Sequence, residues 1–175
     1  MLNLPKYLNC LSNVERISDH AVNIAELAQE LSNKKVRFSE QAARELRICI
    51  DAALEISELT QRCVKENNAT LAETVEPLEE VIDALTKDLK KRHIQRVQAG
   101  NCTLELGFIF NDCINNLGRV ADHCSNLAIA VLKEIDTWLQ PHDYAIALKQ
   151  GNSSEYADRF SDAARKYYDA LDSLN

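Results

Sequence analysis

The 175-residue sequence has few of the residues that break regular structure: only four glycines and three prolines. Average usage of the two together is about 12%. The sequence therefore has too few of these residues for a turn-rich β fold or a glycine-loop nucleotide-binding fold. Hydrophobic residues make up 46% of the chain, an ordinary globular value, so disorder is not expected. A folded, all-helical chain is the class that remains.

Basic residues and long apolar runs are also scarce. Lys and Arg number 20 against 27 Asp and Glu, which gives a net charge of −7. Nucleic-acid phosphates are held mainly by clustered Lys and Arg, so we expect no nucleic-acid partner. The longest apolar run, residues 127–132, is far shorter than the ~18 residues that cross a bilayer, and no charged-then-apolar leader opens the chain. These features predict a soluble, unexported chain.

The six cysteines contain no C-x-x-C pair. In a chain of this size and character they predict buried thiols of a reducing compartment. A zinc site built on cysteine is not expected, because such sites use closely spaced ligand pairs.

The spacing of apolar residues predicts five helices, over about 6–32, 40–66, the low seventies to 97, 103–139 and 155–174. Thr70 and Glu73 form one candidate start of the third helix, as a capping box, and Pro77 in a first turn is the alternative. Short loops favour antiparallel neighbours, which predicts an up-and-down antiparallel bundle. The core stripe of the first helix is predicted to comprise Leu11, Val14, Ile17, Ala21, Ile24, Ala28 and Leu31.

An internal repeat is the most informative feature of the sequence. At an offset of 103, residues 10–25 align with residues 113–128, and seven of the sixteen positions are identical. A shared apolar stripe follows from helix patterning alone, whereas identical polar residues need a further reason. We therefore predict two equivalent helices. The identical pairs are Cys10/Cys113, Asn13/Asn116, Arg16/Arg119, Asp19/Asp122, His20/His123, Asn23/Asn126 and Ala25/Ala128.

Two acidic residues in the first copy are candidate metal ligands. Glu15 and Asp19 lie about 40° apart on a helix, nearly opposite the apolar stripe, and one turn brings their carboxylates within reach of one hard cation. Solvation of both acids is the alternative. Arg16 and Arg119 could also pair with Asp19 and Asp122 as i,i+3 salt bridges, which would remove the need for a metal.

The repeated histidines and asparagines have structural interpretations. His20 and His123 lie about 100° from the aspartates, toward the edge of the apolar stripe. Histidine at such a position is more often hydrogen-bonded to a neighbouring helix than a metal ligand. Asn23 and Asn126 are predicted to cap or cross-link helices in the same way.

Residues 13–26 closely resemble the signature of PhoU-type phosphate-regulatory proteins, in which an acidic-x-x-x-Asp element occurs once in each half of a duplicated helical fold. Residues 119–128 are similar to the variant found in PhoU-like domains fused to bacterial sodium/phosphate cotransporters, where Asp-His-Cys-Ser-Asn is common. The resemblance implies up-and-down helices in three-helix units, a role in phosphate uptake or its control, and a cytoplasmic location, at the inner membrane face through a transporter partner.

The resemblance also implies a metal. Family members can bind iron, zinc or other divalent or trivalent metals on the acidic-x-x-x-Asp elements, which correspond here to Glu15 and Asp19 in the first copy and Asp122 in the second. Gly118 stands where the second copy should have its first acidic residue. The second element is therefore incomplete.

Two full three-helix units would need six helices, and the sequence predicts five. We expect a single PhoU-like domain over 1–175, with repeat units of about 1–100 and 101–175, the second incomplete. Two explanations fit: a domain cut from a longer membrane protein, or a complete chain whose first helix packs against the fifth helix and a second subunit in a homodimer. In either case some apolar surface needs a partner.

The leading functional hypothesis is a regulatory or accessory domain that acts on a membrane phosphate transporter, in the same chain or a separate one, and has no chemistry of its own. The sequence has no glycine-rich phosphate loop, nucleophile elbow or nucleophile–base arrangement. One alternative is a purely structural interaction bundle. Another, less favoured, is a di-iron enzyme, whose Glu-x-x-His ligands differ from the adjacent Asp-His pairs found here.

Overall fold

A computed structural model describes residues 4–132 and 153–174 and forms a five-helix, all-α bundle over those residues. The number and type of elements confirm the sequence prediction. The fourth helix was predicted to reach residue 139, and its part beyond Leu132 lies outside the described residues. The helices are α1 (Leu4–Lys34), α2 (Glu40–Glu66), α3 (Ala69–Gln98), α4 (Leu104–Leu132) and α5 (Ser153–Asp172).

Short polar residues cap both ends of α2 and the start of α3. The Ser39 side chain accepts a hydrogen bond from the backbone N–H of Ala42, and Asn67 ends α2 in the left-handed conformation at φ 48°. Asparagine tolerates this conformation better than most residues do. The following Asn68 accepts a hydrogen bond from the Leu71 N–H at 3.2 Å and so caps α3. Two adjacent asparagines thus separate two long helices.

Both predicted starts of α3 are wrong. The helix begins at Ala69, so Thr70 lies inside its first turn and Pro77 lies further inside the helix. Asn68 supplies the side-chain acceptor that a capping box at Thr70 would have supplied. Pro77 lacks an N–H and leaves the carbonyl of Glu73 without its helical partner, which a buried helix with otherwise regular packing tolerates.

Helix α4 lies at the centre of the bundle and contacts α1, α2 and α3, while α5 packs on α3 and α2. Its central position explains why apolar residues are found almost all round its second half, residues 120–132. The largest fully buried side chains of this core include Ile56, Val75, Ile82, Leu85, Leu89, Phe110, Ile114 and Leu171. Helices α2, α3, α4 and α5 therefore share one core.

Helix α1 packs mainly on α4 and buries only part of the predicted stripe. Ile17 and Ile24 pack toward the core, as predicted, but Leu11 and Val14 are exposed. Apolar residues occur on two faces of this helix, and their period does not tell which of the two a neighbour covers. The second face is left open in the described residues. Leu54 of α2 is likewise an apolar residue that lies exposed.

All six cysteines are free thiols. Cys49, Cys63, Cys113 and Cys124 are buried, as predicted, whereas Cys10 and Cys102 are only half-buried. Burial raises the pKa of the Cys49 thiol to about 12 and that of Cys63 to about 11. These two thiols are protonated at neutral pH and are poor nucleophiles or metal ligands in that form.

Candidate functional site

The two signature segments meet where α1 crosses α4. The imidazole rings of His20 and His123 stack with their centroids 5.6 Å apart and their planes 24° from parallel. His20 Nδ1 lies 2.8 Å from Asn116 Oδ1, and His123 Nδ1 lies 3.0 Å from Asn13 Oδ1. Each histidine therefore bonds to the asparagine of the opposite copy.

These contacts are reciprocal. His20, later in α1, contacts Asn116, earlier in α4, whereas Asn13, earlier in α1, contacts His123, later in α4. The two helices consequently run antiparallel. Because equivalent residues exchange equivalent contacts, a local pseudo-twofold axis relates α1 to α4. The segments 10–25 and 113–128, predicted to be equivalent helices, are both helical and have equivalent roles in this contact.

The orientation of both asparagine amides follows from a second pair of equivalent bonds. Asn13 Nδ2 donates to the carbonyl of Asn9 at 2.9 Å, and Asn116 Nδ2 donates to the carbonyl of Asp112 at 2.8 Å. With each Nδ2 used in its own helix, each Oδ1 faces the partner histidine as an acceptor. Both histidines must then donate from Nδ1, which assigns the proton of the neutral imidazole to that nitrogen.

The contact favours neutral histidine. The pKa of His123 is lowered, first by burial and second by the facing His20. Two imidazolium rings at this separation would repel each other, whereas two neutral rings stack without a charge penalty. The pair therefore acts as a polar cross-link between α1 and α4 in which the neutral form of His123 is favoured.

The sequence predicted the general role of these histidines correctly but missed their partners. Asn13 and Asn116 were recognised only as identities in the repeat, although identity at a polar position is the signal that could have identified them. Asn23 cross-links as predicted, donating to Asn116 Oδ1 at 3.1 Å. Its equivalent, Asn126, is exposed.

The predicted metal-ligand carboxylates lie outside this contact. Glu15 is exposed, and Asp19 forms an exposed ion pair with Arg16 at 4.0 Å. In the second copy Arg119 donates to Asp122 at 3.0 Å. The i,i+3 salt bridges considered as an alternative to metal are therefore present in both copies.

Asp122 lines a polar groove of about 510 Å³ between α3 and α4. Gly118 lies on the same groove, and a Cβ at this position would meet Thr86 Cγ2 at 3.6 Å, an ordinary contact. The groove mixes both signs of charge, since Asp83 and Lys90 of α3 face Arg119 and Asp122 of α4. The missing carboxylate at position 118 leaves this space open.

Comparisons with known proteins place this helix pattern in a family. The sequence model of the PhoU domain matches residues 46–131, from α2 through α4. This chain contains a PhoU-like domain. The match runs across residue 100, so the proposed division into repeat units at that residue stays a prediction.

The PhoU-like domain is also similar to a protein of Thermotoga maritima named phosphate-specific transport system accessory protein PhoU homolog 1. The two are 29% identical over 147 residues, which cover 84% of this chain and 61% of the relative. The chain thus spans about three fifths of the length of that relative. No solved structure matches the chain significantly.

The donors present in this PhoU-like domain do not form a complete metal site. Glu15 and Asp19 supply two carboxylates one turn apart, but no group of three or more His, Cys, Asp or Glu that could hold a metal ion occurs in residues 4–132 and 153–174. A hard cation takes six or more oxygen ligands, so two carboxylates leave most of its shell to water. The same residues also lack the ligand set of the alternative di-iron enzyme.

Proposed function

We propose that this chain is a regulatory, non-catalytic domain of bacterial phosphate uptake that docks on a membrane phosphate transporter of the sodium/phosphate cotransporter type. The PhoU-domain match and the accessory role named for the Thermotoga maritima relative support the phosphate part. The Asp-His-Cys-Ser-Asn sequence at residues 122–126 supports the sodium-coupled type. The transporter is either part of the same polypeptide or a separate one.

The main support for the proposal is the different roles that the residues of the duplicated signature have in the structure. Its histidines and asparagines hold two helices together, while its acidic residues remain at the surface. This arrangement suits a binding module with a fixed scaffold and charged contact residues. Within residues 4–132 and 153–174, no helix is both long and apolar enough to cross a bilayer. We propose that the domain lies at the cytoplasmic face of the membrane, held there by its transporter, and the accessory role in the name of the Thermotoga maritima relative supports this location.

Regulation requires that the domain distinguish two transporter states. A docked domain shifts the transporter only by the difference in its affinity for those states. Docking through the exposed carboxylates Asp19 and Asp122 would make that difference sensitive to cations and to salt. The proposal therefore assigns these two residues to the contact or to its control.

Phosphate uptake in cells tests this function. Sodium-driven uptake is measured for the intact system, for the system lacking residues 1–175, and for the double variant Asp19→Ala/Asp122→Ala. We expect the deletion to alter uptake and its response to phosphate starvation, and the double variant to reproduce part of that change. Equal uptake and equal response in all three would contradict the proposal and favour the structural-bundle alternative.

A matched control separates a specific effect from loss of charge. Asp158 and Asp162 are exposed on α5, and Asp162 forms an ion pair with Arg165, three residues away, at 3.8 Å. The variant Asp158→Ala/Asp162→Ala removes the same number of charges from another helix. We expect it to behave as the intact system does.

We further propose that Glu15 and Asp19 bind a divalent or trivalent metal such as iron or zinc weakly and exchangeably, with water or a partner completing its shell. Their one-turn spacing supports this. Asp122 should bind more weakly, because Gly118 removes the second carboxylate. Metal analysis of protein purified without chelator, compared with Asp19→Ala, tests the site, and equal metal content in both proteins would rule it out.

A further inference from the structure

Cys102 lies in the loop between α3 and α4, in contact with the buried imidazole of His93. Its Sγ lies 3.7 Å from His93 Nε2 and 3.4 Å from the carbonyl oxygen of Thr103, to which the S–H donates. His93 is 4% exposed, whereas Cys102 is half-buried. The thiol is therefore partly open to solvent, while its sulfur faces a ring nitrogen held inside the protein.

The other neighbour of His93 assigns the proton that faces this sulfur. Arg96 Nη2 lies 3.2 Å from His93 Nδ1, and a guanidinium only donates, so Nδ1 is the acceptor. The proton of the neutral imidazole is then on Nε2, which faces Cys102 Sγ. Burial and then Arg96 lower the pKa of His93, which favours this neutral form. His93 therefore presents an N–H donor to the sulfur.

A buried carboxylate fixes Arg96 in turn. Arg96 Nη1 donates to Glu45 Oε2 at 2.6 Å, and the side chain of Glu45 is fully buried. Hydrogen bonds between charged groups are stronger than neutral ones. Hydrogen bonds thus connect a core carboxylate, through Arg96 and His93, to the loop thiol, and they hold the imidazole in one orientation.

Cys102 combines solvent access with this donor. The thiolate is the nucleophile in thiol–disulfide exchange, and a hydrogen-bond donor at the sulfur stabilises it. Four other cysteines are buried, and burial raises the pKa of each of their thiols; they are Cys49, Cys63, Cys113 and Cys124. Cys10, half-buried on α1, is the other accessible thiol.

A mostly apolar cavity of about 320 Å³ lies between α3 and α4 at the same imidazole. His93 lines it, and so does Leu104, two residues after Cys102. Three large apolar side chains of the lining, Ile94, Leu104 and Phe108, are 56–70% exposed, so the cavity opens to solvent. Cavities of this size and character receive small, largely apolar groups. A group attached to the Cys102 sulfur would have such a space beside it.

We propose that Cys102 is a site of reversible thiolation by low-molecular-weight disulfides with an apolar or aromatic substituent, which the cavity receives. The Cys102 thiolate, whose proton has gone to solvent, attacks one sulfur of the disulfide. A new S–S bond joins Cys102 to that half, and the other half leaves as a thiolate with the electron pair of the broken S–S bond. A second thiol reverses the exchange. This inference does not depend on the phosphate role.

Exchange with dithiodipyridine, a neutral aromatic disulfide that releases a coloured thione, identifies the reactive cysteine. The folded wild-type chain is compared with Cys102→Ser and Cys10→Ser. We expect a fast phase of about one thiol per chain, which Cys102→Ser removes and Cys10→Ser leaves in place. A fast phase that survives Cys102→Ser would overturn the proposal.

Changes in the cavity lining test where the substituent lies. Leu104→Ala/Phe108→Ala shortens two exposed side chains of the lining, and Leu54→Ala/Val64→Ala shortens two exposed apolar side chains of α2 as a matched control. For each protein, the rate with dithiodipyridine is divided by the rate with bis(hydroxyethyl) disulfide, whose substituents are small and polar. This ratio cancels any change in the thiol itself.

We expect the ratio to fall by about tenfold in the cavity variant and to stay at the wild-type value in the control. Equal ratios in all three proteins would overturn the proposal, because the cavity would then play no part in the exchange. Both variants change exposed residues, so the fold should be retained.

The variant His93→Phe tests the donor. Phenylalanine keeps an aromatic ring against Phe110 but has no N–H for the sulfur. We expect exchange of Cys102 with bis(hydroxyethyl) disulfide to slow by about tenfold. An unchanged rate in a variant with the wild-type circular dichroism would contradict the proposal. Should this core substitution unfold the chain, the cysteine and cavity variants decide the matter.

Discussion

The imidazole of His123 is sensitive to pH because of the groups around it. Burial and the facing His20 lower its pKa, Asp122 raises it, and Arg16 and Arg119 lower it further. The net shift is downward from the ordinary value of about 6.5. The unfolded chain then binds the proton more readily than the folded one. The contribution of His123 to the free energy of unfolding is therefore complete above about pH 6.5, the unfolded value, and is lost as the pH falls through the lower folded value.

The variant His123→Asn isolates this effect. Asparagine keeps a donor near Asn13 Oδ1 but does not titrate. Between about pH 7.5 and 5.5 we expect the urea midpoint of the wild-type chain to fall more than that of the variant. The pKa of His93 is also lowered, by burial and then by Arg96, but it contributes equally to both proteins. Parallel pH dependences would show that the stacked pair is not responsible.

Gly118 offers a gain in stability at a single residue. Glycine inside a helix destabilises it by about 0.5–1 kcal/mol relative to alanine. The added Cβ would meet only Thr86 Cγ2, at 3.6 Å. Gly118→Ala should therefore raise the free energy of unfolding by about that amount in urea titration. A smaller gain is expected for Gly107→Ala, whose Cβ meets His93 and Val97 at 3.4 Å, and a loss at position 118 would contradict the packing described.

At the scale of helices, three tyrosine hydroxyls attach α5 to its neighbours. Tyr156 donates to Glu80 at 2.7 Å and Tyr168 donates to Asp88 at 3.0 Å, both carboxylates being on α3. Tyr167, which is buried, donates to Glu55 of α2. Phe160 and Leu171 supply apolar contact to the core. Hydrogen bonds to charged acceptors thus hold helix α5 in its first turn and in its second half.

Removing one hydroxyl should loosen this helix. Hydrogen bonds to charged groups contribute about 1.5–3 kcal/mol, and Glu55 keeps Lys166 as a partner at 2.5 Å, so we expect Tyr167→Phe to cost about 1.5 kcal/mol. Hydrogen exchange in α5 should speed up before that in α2 or α3. Tyr7→Phe, at an exposed tyrosine of α1, is the matched control and should change neither quantity.

Alkaline pH should detach α5 as well. Burial and the bond to Asp88 raise the pKa of Tyr168 to about 12, and the pKa values of Tyr156 and Tyr167 are also raised. The stabilisation is complete below about pH 10, the unfolded value, and is lost as the pH rises through the folded values. Tyrosinate absorbance at alkaline pH should appear together with loss of helical circular dichroism. The triple variant with phenylalanine at these positions should lack that coupled step.

The helices were predictable from the sequence to different degrees. Both ends of α2 were placed correctly, because the apolar period resumes after residue 39 and the adjacent asparagines at 67 and 68 stop the helix. The start of α3 was missed because Asn68, Thr70 and Pro77 all favour a helix start, and only the backbone decides among them. The carboxylate of Glu45 is fully buried and pairs with Arg96 at 2.6 Å. The sequence does not predict this buried ion pair, because a single acidic residue on a helix has no pattern that would indicate burial.

At the scale of the whole molecule, the repeat predicted which residues matter but not how they meet. Identical residues at a constant offset identified His20 and His123, yet the offset holds for any arrangement of the two helices. The antiparallel crossing follows from long-range packing, which periodicity does not encode. The face of α1 that meets α4 was predicted only in part for the same reason, since apolar residues occur on two faces of this helix. The repeat shows that this apolar face occurs twice in the sequence, but it does not show that the two copies have different surroundings in the fold.

The separation of α1 from α4 along the chain has a consequence for the order of folding. Helices α2, α3 and α4 follow one another through short loops, whereas α1 contacts α4 across about a hundred residues. Closing a loop of that length costs more conformational entropy than closing the short loops. We therefore expect α1 to dock after the other helices have formed. We expect Ile17→Ala to speed unfolding with little effect on the folding rate, and Ile82→Ala, in the α3 core, to slow folding. Stopped-flow chevrons that place Ile17 in the nucleus would contradict this order.

During synthesis this order leaves α1 without its partner. At about 5–20 residues per second, the ribosome needs roughly 5–20 s to make the residues that separate α1 from its contacts on α4. Over that interval both apolar faces of α1 are open to chaperones, to other nascent chains or to any helix pair already made. Helix α1 is therefore made well before the helix that buries it, and its fate depends on what is present in that interval.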